Sequence, residues 1–142
     1  MEINELLWFI FFDEFVGALL VPLKEKYVLA ISIDLSSKLN IYTAFLYGFF
    51  GAILGAIVNY GFASLCRMGL DLKIQIDKRI ELTLLFALLF LPVSYFGGVI
   101  SFLAGLAKLN FRKFILASVL VLVCYFIFNL VLYKMSNLLF LL

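Results

Sequence analysis

Two groups of charged side chains interrupt the first apolar region of the chain. Asp13-Glu14 comes first, and Lys24-Glu25-Lys26 follows after nine uncharged residues, directly behind Pro22-Leu23. Together these groups hold five of the chain's 20 charged side chains. A charge at the centre of a bilayer costs about 2.5–3.5 kcal/mol on insertion scales, so such groups usually have a function or are shielded. Asp13 and Glu14 are therefore candidates for an acidic pair within a membrane.

The second group follows a predicted break in the chain, because Pro22 has no N–H to donate to a helix. We interpret the stretch as a helical hairpin that dips into a membrane with its polar tip near Pro22 and Glu25. A return limb starting near Lys24 would point its N-terminal amides, with about half a positive charge, into the cavity. Lys24 and Lys26 would add to this anion site, and Glu25 would titrate or gate it. Two alternatives stay open: one spanning helix, Leu6 to Leu23, followed by a surface loop, or a salt bridge between Glu25 and a neighbouring lysine.

The overall composition indicates a membrane setting for these charges. The 142 residues are 66% hydrophobic and 14% charged, with a mean hydropathy of +1.19. A soluble domain is about 45–50% apolar and about 25% charged. We therefore expect an all-α integral membrane protein with a single membrane domain. The net charge of +2 gives no reason to expect nucleic acid. Histidine, the commonest general base and metal ligand, is absent from the sequence, so we expect no enzyme, cofactor or metal site.

Two segments have the length and composition of transmembrane helices. Ile41–Cys66 has 26 residues without a charge, and Phe114–Tyr133 has 20. In the first, small residues recur at three- and four-residue spacing, which predicts a face where another backbone can approach closely. These residues are Gly48, Gly51, Ala52, Gly55 and Ala56. For Asn59 in the same segment, we favour one interhelical hydrogen bond, worth about 0.6–2 kcal/mol, over contact with a ligand.

Two further apolar segments do not fit a simple crossing. Tyr27–Ile33 would cover only about 10 Å of the roughly 30 Å hydrocarbon core, so we interpret it as the return limb of the first hairpin. Leu82–Ala107 has 26 uncharged residues but is interrupted by Pro92 and Gly97-Gly98. It is either one kinked crossing or a second re-entrant hairpin. Between them, residues 67–81 form the only long polar stretch, which we interpret as an interfacial connector, helical or extended.

An internal repeat relates the two halves of the chain. A shift of 70 residues, without a gap, pairs Pro22 with Pro92, Lys38-Leu39-Asn40 with Lys108-Leu109-Asn110, Leu46 with Leu116, and Asn59 with Asn129. We interpret repeat 1 as about residues 5–66 and repeat 2 as about residues 82–134. Each copy would contain a re-entrant hairpin, a Lys-Leu-Asn corner and one transmembrane helix. Since each copy crosses once, the second would be inverted, a plan that recurs in transporters.

The inverted arrangement predicts where the two tips meet. Both would approach the bilayer centre, the charged first tip holding a lipid head group and the neutral second tip mostly packing. Asn59 and Asn129 would lie at symmetric depths and bond backbone groups freed near the tips. Loop charges favour this topology, because seven of the nine loop Lys and Arg residues then lie on one side, whereas a crossing by Leu82–Ala107 would give a split of five against four. Both termini would face outside.

Three stretches resemble the DedA/VTT family of membrane proteins, nearest its short YqaA-like branch. Leu20–Glu25 resembles the Pro-x-x-Glu tip, Gly51–Tyr60 the glycine-rich helix, and Ala104–Phe114 the Ala-Gly-Leu, basic, Phe-x-x-Phe corner. The resemblance implies facing re-entrant hairpins with buried charges, a multi-pass location in the cell (inner) membrane, and movement of phospholipids or polyprenyl phosphates between leaflets. In some members this movement depends on the proton gradient. The chain departs from the family in its second hairpin, since no charge lies between Glu81 and Lys108.

These observations lead to one main functional hypothesis and one alternative. The main hypothesis is a flippase-like transporter whose head-group contacts are Pro22, Lys24, Glu25, Lys26, Asn59 and Pro92. The alternative is a non-transporting structural subunit of a membrane complex, which the uncharged second hairpin and apolar tail allow. Membrane lipids are the expected partners in the first case. A second copy of the chain or another membrane protein stays open in both.

Overall fold

A computed structural model of the chain describes residues 3–19, 40–70, 77–92 and 94–139. Its helices are α1 (Ile3–Gly17), α2 (Ile41–Gly69), α3 (Lys78–Ala87), α4 (Ser94–Leu106) and α5 (Phe111–Leu139), with a 3-10 turn at Leu88–Phe90. The described residues are all-helical, without a strand, which confirms the predicted α class. Ile41–Gly69 and Phe111–Leu132 are long and apolar enough to cross a membrane. Both extend beyond the start or end predicted for the corresponding span.

Helix α2 is the centre of the packing, and α1 lies along its first half in the same direction. Leu7 and Ile10 of α1 pack with Ala44 near the start of α2. Further along both helices, the backbone of Phe15 lies beside Gly55. Because later residues of α1 meet later residues of α2, the two helices are parallel.

The close approach of α1 depends on two glycines of α2. A Cβ atom at Gly51 would overlap the carbonyl oxygen of Phe11. At Gly55, a Cβ atom would lie 2.8 Å from the carbonyl oxygen of Phe15 and 2.6 Å from Cβ of Ala18. Real Cβ atoms essentially never approach other heavy atoms this closely. The predicted small-residue face is therefore confirmed as the surface where another backbone packs.

Helix α5 packs against α2 through aromatic rings and runs the opposite way. Phe114, near the start of α5, stacks on Tyr60 with ring centroids 4.7 Å apart. Phe126, further along α5, contacts Phe45 and Phe49 near the start of α2, with centroids 5.6 and 6.1 Å apart. Later residues of α5 thus meet earlier residues of α2, so the two helices are antiparallel.

The segment from residue 82 to residue 107 is broken at Leu91-Pro92 and turns back on itself. Beyond the turn, Gly97 comes so close to the Leu91 carbonyl that a Cβ atom there would overlap it. Glu81 Oε1, before the segment, lies 2.5 Å from Lys113 Nζ, after it. One straight helix of this length would separate its ends by about 39 Å. The ion pair therefore places the two ends of this segment close together.

The described parts of the two Lys-Leu-Asn corners share one local structure. Asn40 Oδ1 accepts the backbone N–H of Tyr42, and Asn110 Oδ1 accepts that of Arg112, both at 3.0 Å. The asparagine carbonyls also accept the N–H of Ala44 and Phe114, four residues later. Each asparagine is thus the N-cap of a long helix, since its side chain satisfies an N–H that has no partner within the first turn.

Candidate functional site

Asn59, about two-thirds of the way along α2, lies between the end of α1 and the first half of α4. Asn59 is 4% exposed, and its Nδ2 donates to the carbonyl oxygen of Ala18 at 2.7 Å. A second, longer contact of 3.5 Å joins the same nitrogen to the carbonyl oxygen of Gly98 in α4. Ala18 directly follows α1, where carbonyl groups lack partners within the helix. The expected interhelical hydrogen bond is therefore confirmed, and its shorter contact satisfies a backbone carbonyl directly after α1.

Glu14 of the predicted acidic pair lies in a cleft between three helices. It is 6% exposed, and its Cγ is 3.4 Å from the place that a Cβ of Gly48 would occupy. The ring of Phe126 in α5 lies 3.6 Å from the same place. Gly48 therefore leaves room for this carboxylate between α1, α2 and α5. Asp13 is only half-buried, so the two acidic residues have different surroundings.

The second predicted tip is apolar in its surroundings. Pro92 is half-buried in the turn between Leu91 and α4. Before it, Leu88 and Leu91 are 0% and 5% exposed and belong to the main hydrophobic cluster. Beyond it, Ser101 is buried and donates to the carbonyl oxygen of Gly97 within α4. Packing rather than charge fills this part of the molecule.

The residues of the first predicted tip lie outside the described residues. They are Pro22, Lys24, Glu25 and Lys26. The structure places two neighbours of that segment, Ala18 at Asn59 and Asn40 at the start of α2. In the portion that is described, no three Cys, Asp or Glu side chains come together as a metal ion would need.

The sequence patterns did not predict two surface features of the molecule. One is an apolar groove of about 370 Å³ between α2 and α5. The other is a cavity of about 620 Å³ at the junction of α4 and α5, beside Lys108 and Arg112. The spacing of aromatic residues is a weak sequence signal for the groove, since Phe45 and Phe49 lie four residues apart on one helix face. The repeated asparagine before each long apolar helix was a direct signal for a cap and hence for the corner.

No family model, curated protein or solved structure matches the chain. The resemblance to the DedA/VTT family therefore stays a prediction from the quoted motifs.

Proposed function

We propose that the chain is a multi-pass protein of the cell (inner) membrane that moves lipids or lipid phosphates between leaflets. Two apolar helices of sufficient length and the high hydrophobic content support the membrane setting. Large apolar side chains that point away from the packed interior also support it, since a bilayer would cover them. They include Phe9, Phe12, Phe50, Phe62, Leu116, Leu120 and Phe128.

The proposed architecture is an inverted repeat with two re-entrant hairpins. Helix α1 starts beside the start of α2 and ends at Asn59, about two-thirds of the way along it. Helix α4 packs along the second half of α2, from Asn59 towards Ala63 beside Gly105. The two broken segments would thus enter from opposite ends and stop near the same depth. Broken helices in a bilayer need such shielding, because their freed backbone groups must be satisfied by protein.

The observation that carries the proposed transport is this meeting of two broken segments at a buried amide, one of them carrying a buried carboxylate. A lipid head group cannot cross hydrocarbon without polar contacts. Segments reaching the centre from both sides would shorten the apolar distance, and Asn59 would be exposed to a head group if the segments moved apart. Glu14 would carry the proton in a proton-coupled version. The anion site of this proposal is the first tip, with Lys24, Glu25 and Lys26.

Purified protein in liposomes tests the proposal. The liposomes contain a phospholipid or a polyprenyl phosphate with a fluorescent head group. A quencher added outside removes the fluorescence of the outer leaflet. The rate at which the protected fluorescence of the inner leaflet is then lost is measured. We expect wild-type protein to accelerate this loss over protein-free liposomes. Glu14→Gln and Glu25→Gln should each slow it about tenfold, equivalent to about 1.4 kcal/mol of barrier.

The matched controls are Glu81→Gln and Asp34→Asn, which remove the same charge at a surface ion pair and at a predicted surface corner. Both should keep the wild-type rate within about twofold, a difference below about 0.5 kcal/mol. Equal slowing by all four variants would contradict a specific role for Glu14 and Glu25. A wild-type rate equal to that of empty liposomes for both lipids would contradict transport.

A second candidate function is supported by the loose packing of α5. In the apolar part of α5, 17% of the residues are buried, against 39% in that of α2. A structural subunit would cover this surface with a partner protein rather than lipid. In that case, the protein would be inactive alone in liposomes, and crosslinkers placed on the outer face of α5 would capture a specific membrane protein.

A further inference from the structure

A cavity with two cationic side chains lies at the end of the molecule where α4 passes into α5. Its volume is about 620 Å³, within the roughly 300–1,000 Å³ range of small-molecule sites. The lining residues are Tyr60, Lys108, Leu109, Asn110, Phe111 and Arg112. All but Tyr60 belong to one continuous corner of the chain, and Tyr60 comes from α2.

Hydrogen bonds and ring contacts hold this corner in place. The Tyr60 hydroxyl donates to the carbonyl oxygen of Leu109 at 2.5 Å, and the Tyr60 ring stacks on Phe114. Leu109 is 1% exposed, which anchors the corner in the core. The Asn110 side chain caps α5 by accepting the N–H of Arg112. Lys108 and Arg112 therefore project from a rigid part of the backbone.

Lys108 stands where the backbone would favour glycine. Helix α4 ends with hydrogen bonds from Leu109 N–H to the Ala104 carbonyl and from Lys108 N–H to the Gly105 carbonyl. In this end motif the residue at the position of Lys108 adopts the left-handed conformation, and glycine is the usual occupant. Lys108 has φ of 56°. Replacing it by glycine would remove the charge and relieve the backbone at once, which makes a useful variant.

The charges around the cavity are mostly positive and partly unneutralised. Lys113 pairs with Glu81, whereas neither Lys108 nor Arg112 pairs with a carboxylate anywhere in the described chain. Both are exposed. The same end of the molecule carries six described basic residues against two acidic ones, Asp77 and Glu81. The basic residues are Arg67, Lys78, Arg79, Lys108, Arg112 and Lys113.

We propose that this cavity binds the phosphate of an anionic phospholipid in the leaflet that faces this end of the protein. Lys108 and Arg112 would contact the phosphate, and the first N–H groups of α5 would add their partial positive charge. Tyr60 and the half-exposed ring of Phe111 would pack against the glycerol and upper acyl chain. This apolar side of the cavity favours a lipid over free phosphate. The inference rests on the membrane setting proposed above but not on transport.

Native mass spectrometry of the full chain in detergent tests the site by titration with phosphatidylglycerol. The variant Lys108→Gln with Arg112→Gln removes two cations and should bind the lipid roughly thirtyfold more weakly, equivalent to about 2 kcal/mol. The control Lys78→Gln with Arg79→Gln removes the same charge from the same end, outside the cavity, and should change binding no more than about twofold. Equal weakening by both double variants would overturn the proposal, because it would show diffuse attraction only. An unchanged Lys108 and Arg112 variant would also overturn it.

A third variant separates binding from folding. Lys108→Gly should raise the melting temperature of the protein while weakening phosphatidylglycerol binding several-fold. Tight binding by this variant would contradict the role of the Lys108 charge.

Two further ligands identify the source of the phosphate. Glycerol phosphate should not displace the lipid, and phosphatidylcholine should bind about tenfold more weakly, so displacement by the first or equal binding of the second would overturn the assignment.

A transport assay that fails while this binding persists would remove the proposed function and leave the site intact. Loss of the binding with transport intact would remove the site and leave the proposed function.

Discussion

Helices α2 and α5 are related by the 70-residue shift, yet they have different roles in the fold. Both are 29 residues long and both follow a capping asparagine. Helix α2 packs extensively against α1 and α4, whereas α5 packs sparsely against α2. Equivalent corners thus lead into helices with different neighbours.

Side-chain size explains the difference. On the packed face of α2 the residues are Gly48, Gly51, Gly55 and Ala56, and their counterparts on α5 are Ser118, Val121, Tyr125 and Phe126. Glycine and alanine let a second backbone come within van der Waals distance. Tyrosine and phenylalanine hold neighbours at ring distance, as Phe126 does with Phe45. Two helices that begin with the same capping structure can therefore differ in the neighbours that pack against them.

The two equivalent asparagines show the same divergence. Asn59 donates to carbonyl groups of two other segments, whereas Asn129 Nδ2 donates to the Tyr125 carbonyl one turn earlier in its own helix, at 2.8 Å. We expected Asn129 to bond backbone groups near a tip. That expectation is wrong, because the acceptor of Asn129 lies within the same helix. An amide on a helix takes its own i−4 carbonyl when no other acceptor is near.

The largest effect on stability is expected when the same substitution is made at two glycines of α2. Gly51→Ala would drive a methyl group into the Phe11 carbonyl, so it should destabilise the protein by about 3 kcal/mol, the upper part of the usual range for overpacking. Gly61 has open space around it, so Gly61→Ala should be neutral or stabilise by up to about 1 kcal/mol. Unfolding of purified protein in mixed detergents, followed by circular dichroism, measures both. Equal effects would mean that α1 does not pack on α2 as described.

The pattern of small residues predicted this close-packed face, because size and period are readable in sequence. The break near Pro92 was also predicted, since proline lacks an N–H at any depth. The neighbour that uses each glycine was not predictable, because it depends on which helix arrives there. The position of Glu14 beside Gly48 and the different partners of Asn59 and Asn129 depend on the same tertiary arrangement. The chemistry predicted for Lys24, Glu25 and Lys26 lies outside the described residues and stays a prediction.

The second test compares the two asparagines directly. Asn59→Leu should lose a buried interhelical hydrogen bond and leave the Ala18 carbonyl without this donor, at a cost of about 1–2 kcal/mol. Asn129→Leu removes only a bond within one helix turn, so it should change stability by less than about 0.5 kcal/mol. The same unfolding assay measures both variants. A larger effect at Asn129 would indicate that α5 is the better packed helix and would reverse the comparison.

The smallest expected effect concerns the ion pair that holds the start of α5 to the start of α3. Glu81 and Lys113 are 27% and 56% exposed, so water and salt screen their attraction, and we expect a coupling energy of about 0.2–1 kcal/mol. A double-mutant cycle of Glu81→Gln, Lys113→Gln and the combined variant isolates this term. The coupling should shrink as salt rises, because the Debye length falls to about 3 Å at 1 M. If Glu81 and Lys113 stood at opposite ends of a single crossing, about 39 Å would separate them and no coupling would appear at any salt concentration. Measurable coupling at low salt therefore supports the turned-back segment of residues 82–107, and its absence would favour one kinked crossing instead.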